Sequence, residues 1–206
     1  MEEKDIYTEL SSIRNLMERS AKFISLSGLS GIMAGIYAII GSFIAYKIVY
    51  SEADTLSYRT HYIREPEVLW QLFLIALAVL LLSLVTGIWL TIRESRKKGE
   101  KVWNPVSKRL LTNLAIPLVT GGLLIIILFI RGEYAVIASA SLIFYGLALI
   151  AGSHYTFSAV KWLGFSEIIL GLLAALLPGY GIVFWVTGFG LLHIIYGTIM
   201  HFKYNQ

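Results

Sequence analysis

The 206-residue sequence contains no cysteine and only four prolines, and 15% of its residues are charged. The absence of cysteine excludes a disulfide framework, a thiolate metal site and a cysteine nucleophile. No cleavable signal is predicted, because the chain opens with acidic residues instead of a basic segment and a short apolar core. The sequence also lacks the recognised motifs for nucleotide binding, zinc binding and a serine nucleophile. The long apolar runs therefore carry most of the information.

Apolar residues make up 57% of the chain, and the mean hydropathy is +0.72. Soluble domains usually contain roughly 45–50% apolar residues, and a helix needs roughly 18–20 of them in a row to cross a bilayer. Runs of about this length recur along the chain. We therefore predict an all-α fold, a polytopic membrane helical bundle with six transmembrane helices in one domain over residues 23–204. The predicted spans cover residues 23–48, 68–92, 110–130, 134–152, 162–177 and 182–202.

The N-terminal segment, residues 1–22, is predicted to form an amphipathic helix. Its apolar residues Ile6, Leu10, Ile13 and Met17 recur at spacings of four, three and four, with charged residues between them. Such a helix lies in the cytosol or at the membrane surface. It could rest on its own membrane domain, or it could bind a partner or a second copy of the chain.

A basic loop between the second and third spans sets the expected orientation. It contains Arg93, Arg96, Lys97, Lys98 and Lys101. Thirteen of the 17 lysines and arginines fall on the side of this loop, which the positive-inside rule assigns to the cytoplasm together with both termini. The same cations could bind anionic lipid, and the loop could also meet a protein partner. Nucleic acid binding is not predicted, because membrane orientation already accounts for the charge.

Small residues indicate where helices pack closely. Gly31 and Gly35 lie four residues apart in the first span, in line with Ser27, and Gly121 and Gly122 are adjacent in the third. Small residues at such positions let two helix backbones approach each other in lipid. Packing within the chain and homodimerisation both fit the pattern.

The strongest site candidate is a pair of ionisable residues in the last two spans, Glu167 and His193. If these spans form a hairpin about the turn at residues 178–181, a rise of about 1.5 Å per residue puts the two side chains at one depth. Ionisable groups inside apolar spans are costly and usually face a partner or a cavity.

Further polar groups are predicted in the cytoplasmic half of the bundle. Pro117 frees a backbone carbonyl one turn earlier in the third span, at Asn113. His154 follows the fourth span, and Ser27 and Ser30 lie in the first. We hypothesise a cavity at the cytoplasmic side with Glu167 and His193 at its floor, relaying a proton or binding a small polar or cationic ligand. The alternative is a purely structural tie between two helices.

No cofactor, metal or catalytic residue is predicted. Heme ligation would need two histidines facing each other across the bundle, and His154 with His193 is the one plausible pair. Zinc would need paired ligand spacings that the sequence does not contain.

Four segments carry a resemblance to known proteins: IRNLMERS (residues 13–20), FISLSG (23–28), GYG (179–181) and LHIIYG (192–197). With these segments the chain resembles a group of uncharacterised six-span integral membrane proteins of bacteria, of the Bacteroidota type. The resemblance implies a location in the bacterial inner membrane and no particular activity.

Two functions remain open at this point. The chain could be a non-enzymatic membrane sensor or an accessory protein that binds a partner. Alternatively, it could be a small transporter or channel for protons or a small polar or cationic solute. The first is preferred, because the outer half of the spans offers no polar path.

Overall fold

A computed structural model describes residues 27–50, 66–99 and 101–204. All regular structure in these ranges is helical. The helices are α1 (Gly28–Tyr50), α2 (Pro66–Lys97), α3 (Pro105–Arg131), a 3-10 turn (Tyr134–Val136), α4 (Ile137–Ser153), α5 (Ser158–Leu176), α6 (Gly181–Trp185), a π-helical segment (Val186–Leu192) and α7 (His193–Tyr204). The last three run continuously and are called here the sixth span. The predicted amphipathic helix at residues 1–22 lies outside the described residues.

Among the described residues, six helices are long and apolar enough to cross a membrane. They cover Gly28–Val49, Glu67–Lys97, Pro105–Arg131, Tyr134–Ser153, Ser158–Leu176 and Gly181–Lys203. For the residues that the structure describes, this confirms the prediction of an all-helical fold with six apolar segments of transmembrane length. The connection between α2 and α3 lies at one end of the helices, called here the basic end.

Local sequence signals set the limits of α3. Asn104 caps its first turn, since its side chain accepts a hydrogen bond from the Ser107 amide at 2.8 Å while the Ser107 hydroxyl lies 2.9 Å from the Asn104 amide. This reciprocal pair satisfies amides that have no partner within the helix. Gly132 ends the helix with φ of 77°, a left-handed conformation that glycine adopts without strain. Pro117 is accommodated inside the helix.

The helices pack in the order α2, α1, sixth span, α5, α4 and α3. The sixth span is central, with α1 on one side and α4 and α5 on the other. Glycines bring these backbones close together. A Cβ added to Gly164 would lie 2.7 Å from the Gly146 carbonyl, and one added to Gly197 would lie 2.8 Å from the Gly28 carbonyl. Backbone contact of this kind is a usual source of helix association in lipid.

The peripheral helices α2 and α3 are much more exposed than the others. In each, 6% of the most apolar stretch is buried within the chain, against 22–33% in the other four spans. They meet at the end opposite the basic end, where the rings of Trp70 and Phe73 of α2 pack against Phe129 of α3, at 6.1 and 5.5 Å between ring centroids. Most of their surface is therefore left for lipid or another protein.

The predicted packing glycines do not share one role. Gly31 faces Gly197 and Gly35 faces the Gly190 carbonyl, so both lie where α1 crosses the sixth span. Gly121 packs against Phe144 of α4. No atom of the described residues lies within 4 Å of a Cβ built on Gly122. The stripe of small residues on α1 is thus occupied by packing within the chain.

Candidate functional site

Glu167 lies at the centre of α5, with nine residues of the helix on each side. The buried residues of α5 recur every three or four positions and share one face: Val160, Leu163, Gly164, Glu167, Gly171 and Ala174. This spacing is that of a helical stripe facing the protein interior. Glu167 is 0% exposed. Its carboxyl group therefore lies midway along α5.

The sixth span changes its helical form beside this carboxyl group. Residues Val186–Leu192 form a π-helical segment, and Gly188 within it faces Glu167. A Cβ at Gly188 would contact Glu167 Oε2 and would lie 2.6 Å from Leu142 Cδ2. The absence of a side chain at Gly188 thus makes room for the carboxyl group. Short π-helical segments inside α-helices occur frequently at functional sites.

His193, the first residue of α7, connects three spans. Its Nδ1 lies 2.9 Å from the Gly188 carbonyl oxygen and 3.4 Å from Glu167 Oε1. Its Nε2 lies 2.8 Å from the Tyr145 hydroxyl of α4. A carbonyl oxygen can only accept, so Nδ1 carries the hydrogen, and in the neutral ring Nε2 accepts from Tyr145. The hydrogen-bonded chain therefore runs from α4 through the imidazole to the π-helical segment, with Glu167 beside it.

Aromatic rings fix the orientation of the imidazole. The rings of Tyr145, Phe189 and His193 contact one another, with centroid distances of 5.0, 5.9 and 5.3 Å. Trp185 packs against Phe189 at 5.0 Å. Ring contacts at these distances are favourable and restrict rotation of the side chains. Tyr145, His193 and Glu167, with Gly188 and Phe189, are called here the central cluster.

The Glu167 carboxyl group has no hydrogen-bond partner among the described residues, although both oxygens are buried. Burying a polar group without a partner costs free energy, about 1–3 kcal/mol from mutational data and more for a charge. Native structures contain few such groups. In an apolar helix bundle, an unpartnered acid beside a histidine is a candidate functional site.

The structure brings together the two residues that the hairpin geometry placed at one depth, Glu167 and His193. It does not bring the other candidate polar residues to them. Asn113 of α3 donates from Nδ2 to the Arg109 carbonyl of its own helix at 2.8 Å. It lies near Gly152, which packs against the neighbouring leucines of α3. Gly152 is seven residues from Tyr145, or about 10 Å along α4.

The remaining predicted polar residues also lie away from the central cluster. His154 is exposed just beyond the end of α4, and Pro117 lies in the interior of α3. Ser27 and Ser30 lie at the start of α1, where the Ser30 hydroxyl donates to the Ser27 carbonyl at 2.6 Å. They are level with His201, eight residues or about 12 Å from His193.

The geometry gives no support to a heme held by His154 and His193. The first is exposed at the end of the helices, whereas both ring nitrogens of the second are hydrogen-bonded in the interior. In the described ranges no three histidine or carboxylate side chains converge as a metal site would require. The absence of a cofactor stays a prediction.

Sequence reasoning did not identify Tyr145 and Gly188 as members of the site. Tyr145 was visible as a hydroxyl in the middle of the fourth span, 48 residues from His193. Gly188 resembled an ordinary packing glycine. The sequence does show a hydroxyl, an imidazole and a carboxyl group in three apolar spans. It does not show to which side of its helix each group points.

The predicted basic residues fall into two groups. Arg93, Arg96 and Lys97 line an open hollow of about 600 Å³ at the basic end of α2, together with Trp89 and Ile92. The other two do not line it: Lys98 forms an ion pair with Glu94 at 3.4 Å, and Lys101 is exposed in the loop to α3.

Comparisons with known proteins do not assign the chain to a family. No protein-family model, no curated protein and no solved structure matches it. The resemblance to six-span bacterial membrane proteins therefore stays a prediction.

Proposed function

We propose that this chain is a multi-pass integral membrane protein of the bacterial inner membrane that acts as a non-enzymatic sensor or accessory protein. The central cluster is its responsive element. A partner, reached through the N-terminal segment or the basic loop, receives the response. The six apolar helices support the membrane part of this proposal.

The observation that supports the proposal most directly is that two acceptors compete for the N–H group of His193 Nδ1. His193 Nδ1 has two acceptors within reach, the Gly188 carbonyl at 2.9 Å and Glu167 Oε1 at 3.4 Å. Only the first is well bonded, and the carboxyl group is left without a partner. A small rotation would transfer the hydrogen bond from the π-helical segment to α5. Two arrangements close in energy are what a switch requires.

The packing indicates which stimulus the cluster can accept. Glu167 is fully enclosed, and Gly188 and Leu142 lie against its carboxyl group. The site therefore has no room for a solute in this conformation, whereas a proton needs none. Imidazole and carboxyl groups are the side chains that most readily exchange protons in the physiological range when their surroundings change. We propose proton occupancy of the central cluster as the stimulus.

A fluorescent probe in the π-helical segment tests this switch. The chain has no cysteine, so the Thr187→Cys variant carries a single labelling site. With a bimane label there, we expect a reversible change in emission between about pH 5 and 8, the range in which histidine charge usually changes. The change should be absent when Glu167→Gln or His193→Gln is added.

The matched control for this experiment is Thr120→Cys in α3. Thr120 and Thr187 each donate from the hydroxyl to the carbonyl four residues earlier at 2.8 Å. A label at Thr120 should not respond to pH. An unchanged response in the Glu167→Gln protein would contradict the proposed role of the central cluster.

The second candidate function is a small proton or solute transporter. The observation that favours it is the position of Glu167, an ionisable group at mid-depth beside an irregular helix, as in many ion pathways. The enclosed state of the carboxyl group favours the sensor. We expect purified protein in liposomes to give proton flux no greater than empty liposomes. Flux that Glu167→Gln abolishes would replace the sensor by the transporter.

The proposed topology gives a separate prediction. If the basic end is cytoplasmic, a membrane-impermeant maleimide should label the Glu133→Cys variant in intact spheroplasts. It should label Lys101→Cys only after permeabilisation. Both residues are exposed in connections at opposite ends of α3. The reverse pattern would place the basic end outside and overturn the proposed location of the termini.

A further inference from the structure

The basic end of α2 has a face with an unusual combination of side chains. Arg93, Arg96 and Lys97 follow Trp89 by four, seven and eight residues, so the four side chains project to one side of the helix. Together with Ile92 they line the open hollow of about 600 Å³. This hollow is separate from the central cluster and is independent of the proposed switch.

The lining of the hollow is complementary to an anion. Three of its five residues are cations and none is acidic. The nearby acid Glu94 does not line it, and its carboxylate is 3.4 Å from Lys98 Nζ. An arginine guanidinium matches the geometry of a phosphate group through paired N–H donors. A phosphate in the hollow would therefore meet two arginines and one lysine and no carboxylate among the lining residues.

The tryptophan places this anion site at a membrane boundary. Arg93 lies over the Trp89 ring, with 5.8 Å between the guanidinium carbon and the ring centroid. Tryptophan is enriched at the level of lipid headgroups, where its ring is apolar and its N–H meets polar groups. A cation resting on such a ring stays near the headgroup region instead of extending into the cytosol.

An apolar surface continues from the hollow along α2. Leu81, Leu82, Val85 and Ile88 precede it in the helix, and each has more than half of its surface exposed. Phosphate alone has no use for such a surface, whereas the acyl chains of a phospholipid pack against it. Continuity between a cationic hollow and an exposed aliphatic stripe distinguishes a lipid site from a site for a soluble anion.

We propose that this hollow binds the phosphate headgroup of an anionic phospholipid, with the acyl chains along the exposed apolar side of α2. The lipid would shield α2, of which 6% of the apolar stretch is buried within the chain. It would also hold the connection between α2 and α3 at the membrane surface.

Titration with lipids of equal acyl chains tests the proposal. Purified protein in detergent is titrated with phosphatidylglycerol or phosphatidylcholine, and bound lipid is counted by native mass spectrometry. We expect clear preference for phosphatidylglycerol. In the triple variant Arg93→Gln, Arg96→Gln, Lys97→Gln, the ratio of phosphatidylglycerol to phosphatidylcholine affinity should fall at least about tenfold. Each cation near an anionic membrane surface contributes measurably to binding.

The matched control removes the same charge elsewhere at the basic end. Lys101, Lys108 and Arg109 are exposed there and do not line the hollow. The triple variant Lys101→Gln, Lys108→Gln, Arg109→Gln should keep its lipid preference. Equal loss in both triple variants would assign the effect to total charge and overturn the site.

Two further outcomes would also overturn the proposal. The first is equal binding of both lipids by the unmodified protein. The second is displacement of phosphatidylglycerol by inorganic phosphate at the same concentration, which would identify a site for a soluble anion. If the hollow triple variant fails to fold, as judged by its thermal unfolding, the single variant Arg96→Gln replaces it and should still weaken phosphatidylglycerol binding.

Discussion

Replacing Gly164 with leucine is expected to separate α4 from α5 and to prevent accumulation of folded protein. A Cβ at Gly164 would lie 2.7 Å from the Gly146 carbonyl oxygen and 3.1 Å from the Ile150 amide nitrogen. These are backbone atoms, which cannot rotate away as a side chain can. Overpacking usually costs about 1–3 kcal/mol. We expect a larger loss here, above about 3 kcal/mol, because the extensive contact between α4 and α5 must open.

The reciprocal contact makes this prediction specific. A Cβ at Gly146 would lie 2.6 Å from the Gly164 carbonyl, so the two glycines face each other at one crossing point. Unfolding in mixed detergent micelles and the yield of monodisperse protein are the measurements. The matched control is Gly122→Leu, where no described atom lies within 4 Å of the new Cβ. Leucine also has a higher intrinsic helix propensity than glycine, by roughly 0.8–1 kcal/mol. Similar behaviour of the two variants would contradict the described α4–α5 contact.

Replacing Gly188 with alanine is expected to destabilise the protein through the carboxyl group of Glu167. The new methyl group would contact Glu167 Oε2 and lie 2.6 Å from Leu142 Cδ2. Neither side chain has free space, because both are 0% exposed. We expect a loss of about 1–3 kcal/mol in the free energy of unfolding, the usual cost of added volume in a packed interior.

A double-mutant cycle assigns that cost to its cause. In the Glu167→Ala background the carboxyl group is absent and the contact with Leu142 remains, so Gly188→Ala should cost less than it does in the unmodified protein. Gly87→Ala in α2 is the control for the change of residue type, because its new Cβ would meet no described atom within 4 Å. Additive effects of the Gly188 and Glu167 substitutions would show that the two residues are not in contact.

The cycle and the probe experiment report on different properties of the central cluster. The cycle measures whether Gly188 and Glu167 touch. The labelled Thr187→Cys variant measures whether the π-helical segment moves when protons are exchanged. A strong coupling without a pH response would leave the central cluster as a structural tie between spans. Interhelical hydrogen bonds of this kind usually contribute less than about 2 kcal/mol to the stability of a membrane protein.

Several properties of this protein follow from its sequence alone. The number of helices long enough to cross a membrane is fixed by the length of the apolar runs, because a backbone in lipid must satisfy its own hydrogen bonds. The equal depth of Glu167 and His193 follows from nearly equal distances to the turn between their spans, since both helices rise by the same amount per residue, whereas their contact at 3.4 Å depends on the tertiary structure.

Only the tertiary structure decided which side of each helix faces the interior. In a soluble helix the polar face marks the outside, but these spans are apolar all round, so periodicity does not distinguish lipid from core. Sequence therefore could not show that Gly122 is open while Gly121 packs, nor that Tyr145 reaches His193. The packing of the π-helical segment against α1 and α5 is likewise seen only in the tertiary structure. In lipid, the close approach of two helix backbones determines which helices pack together and through which sides. This depends on the surfaces of both helices, so it cannot be read from the sequence of one helix.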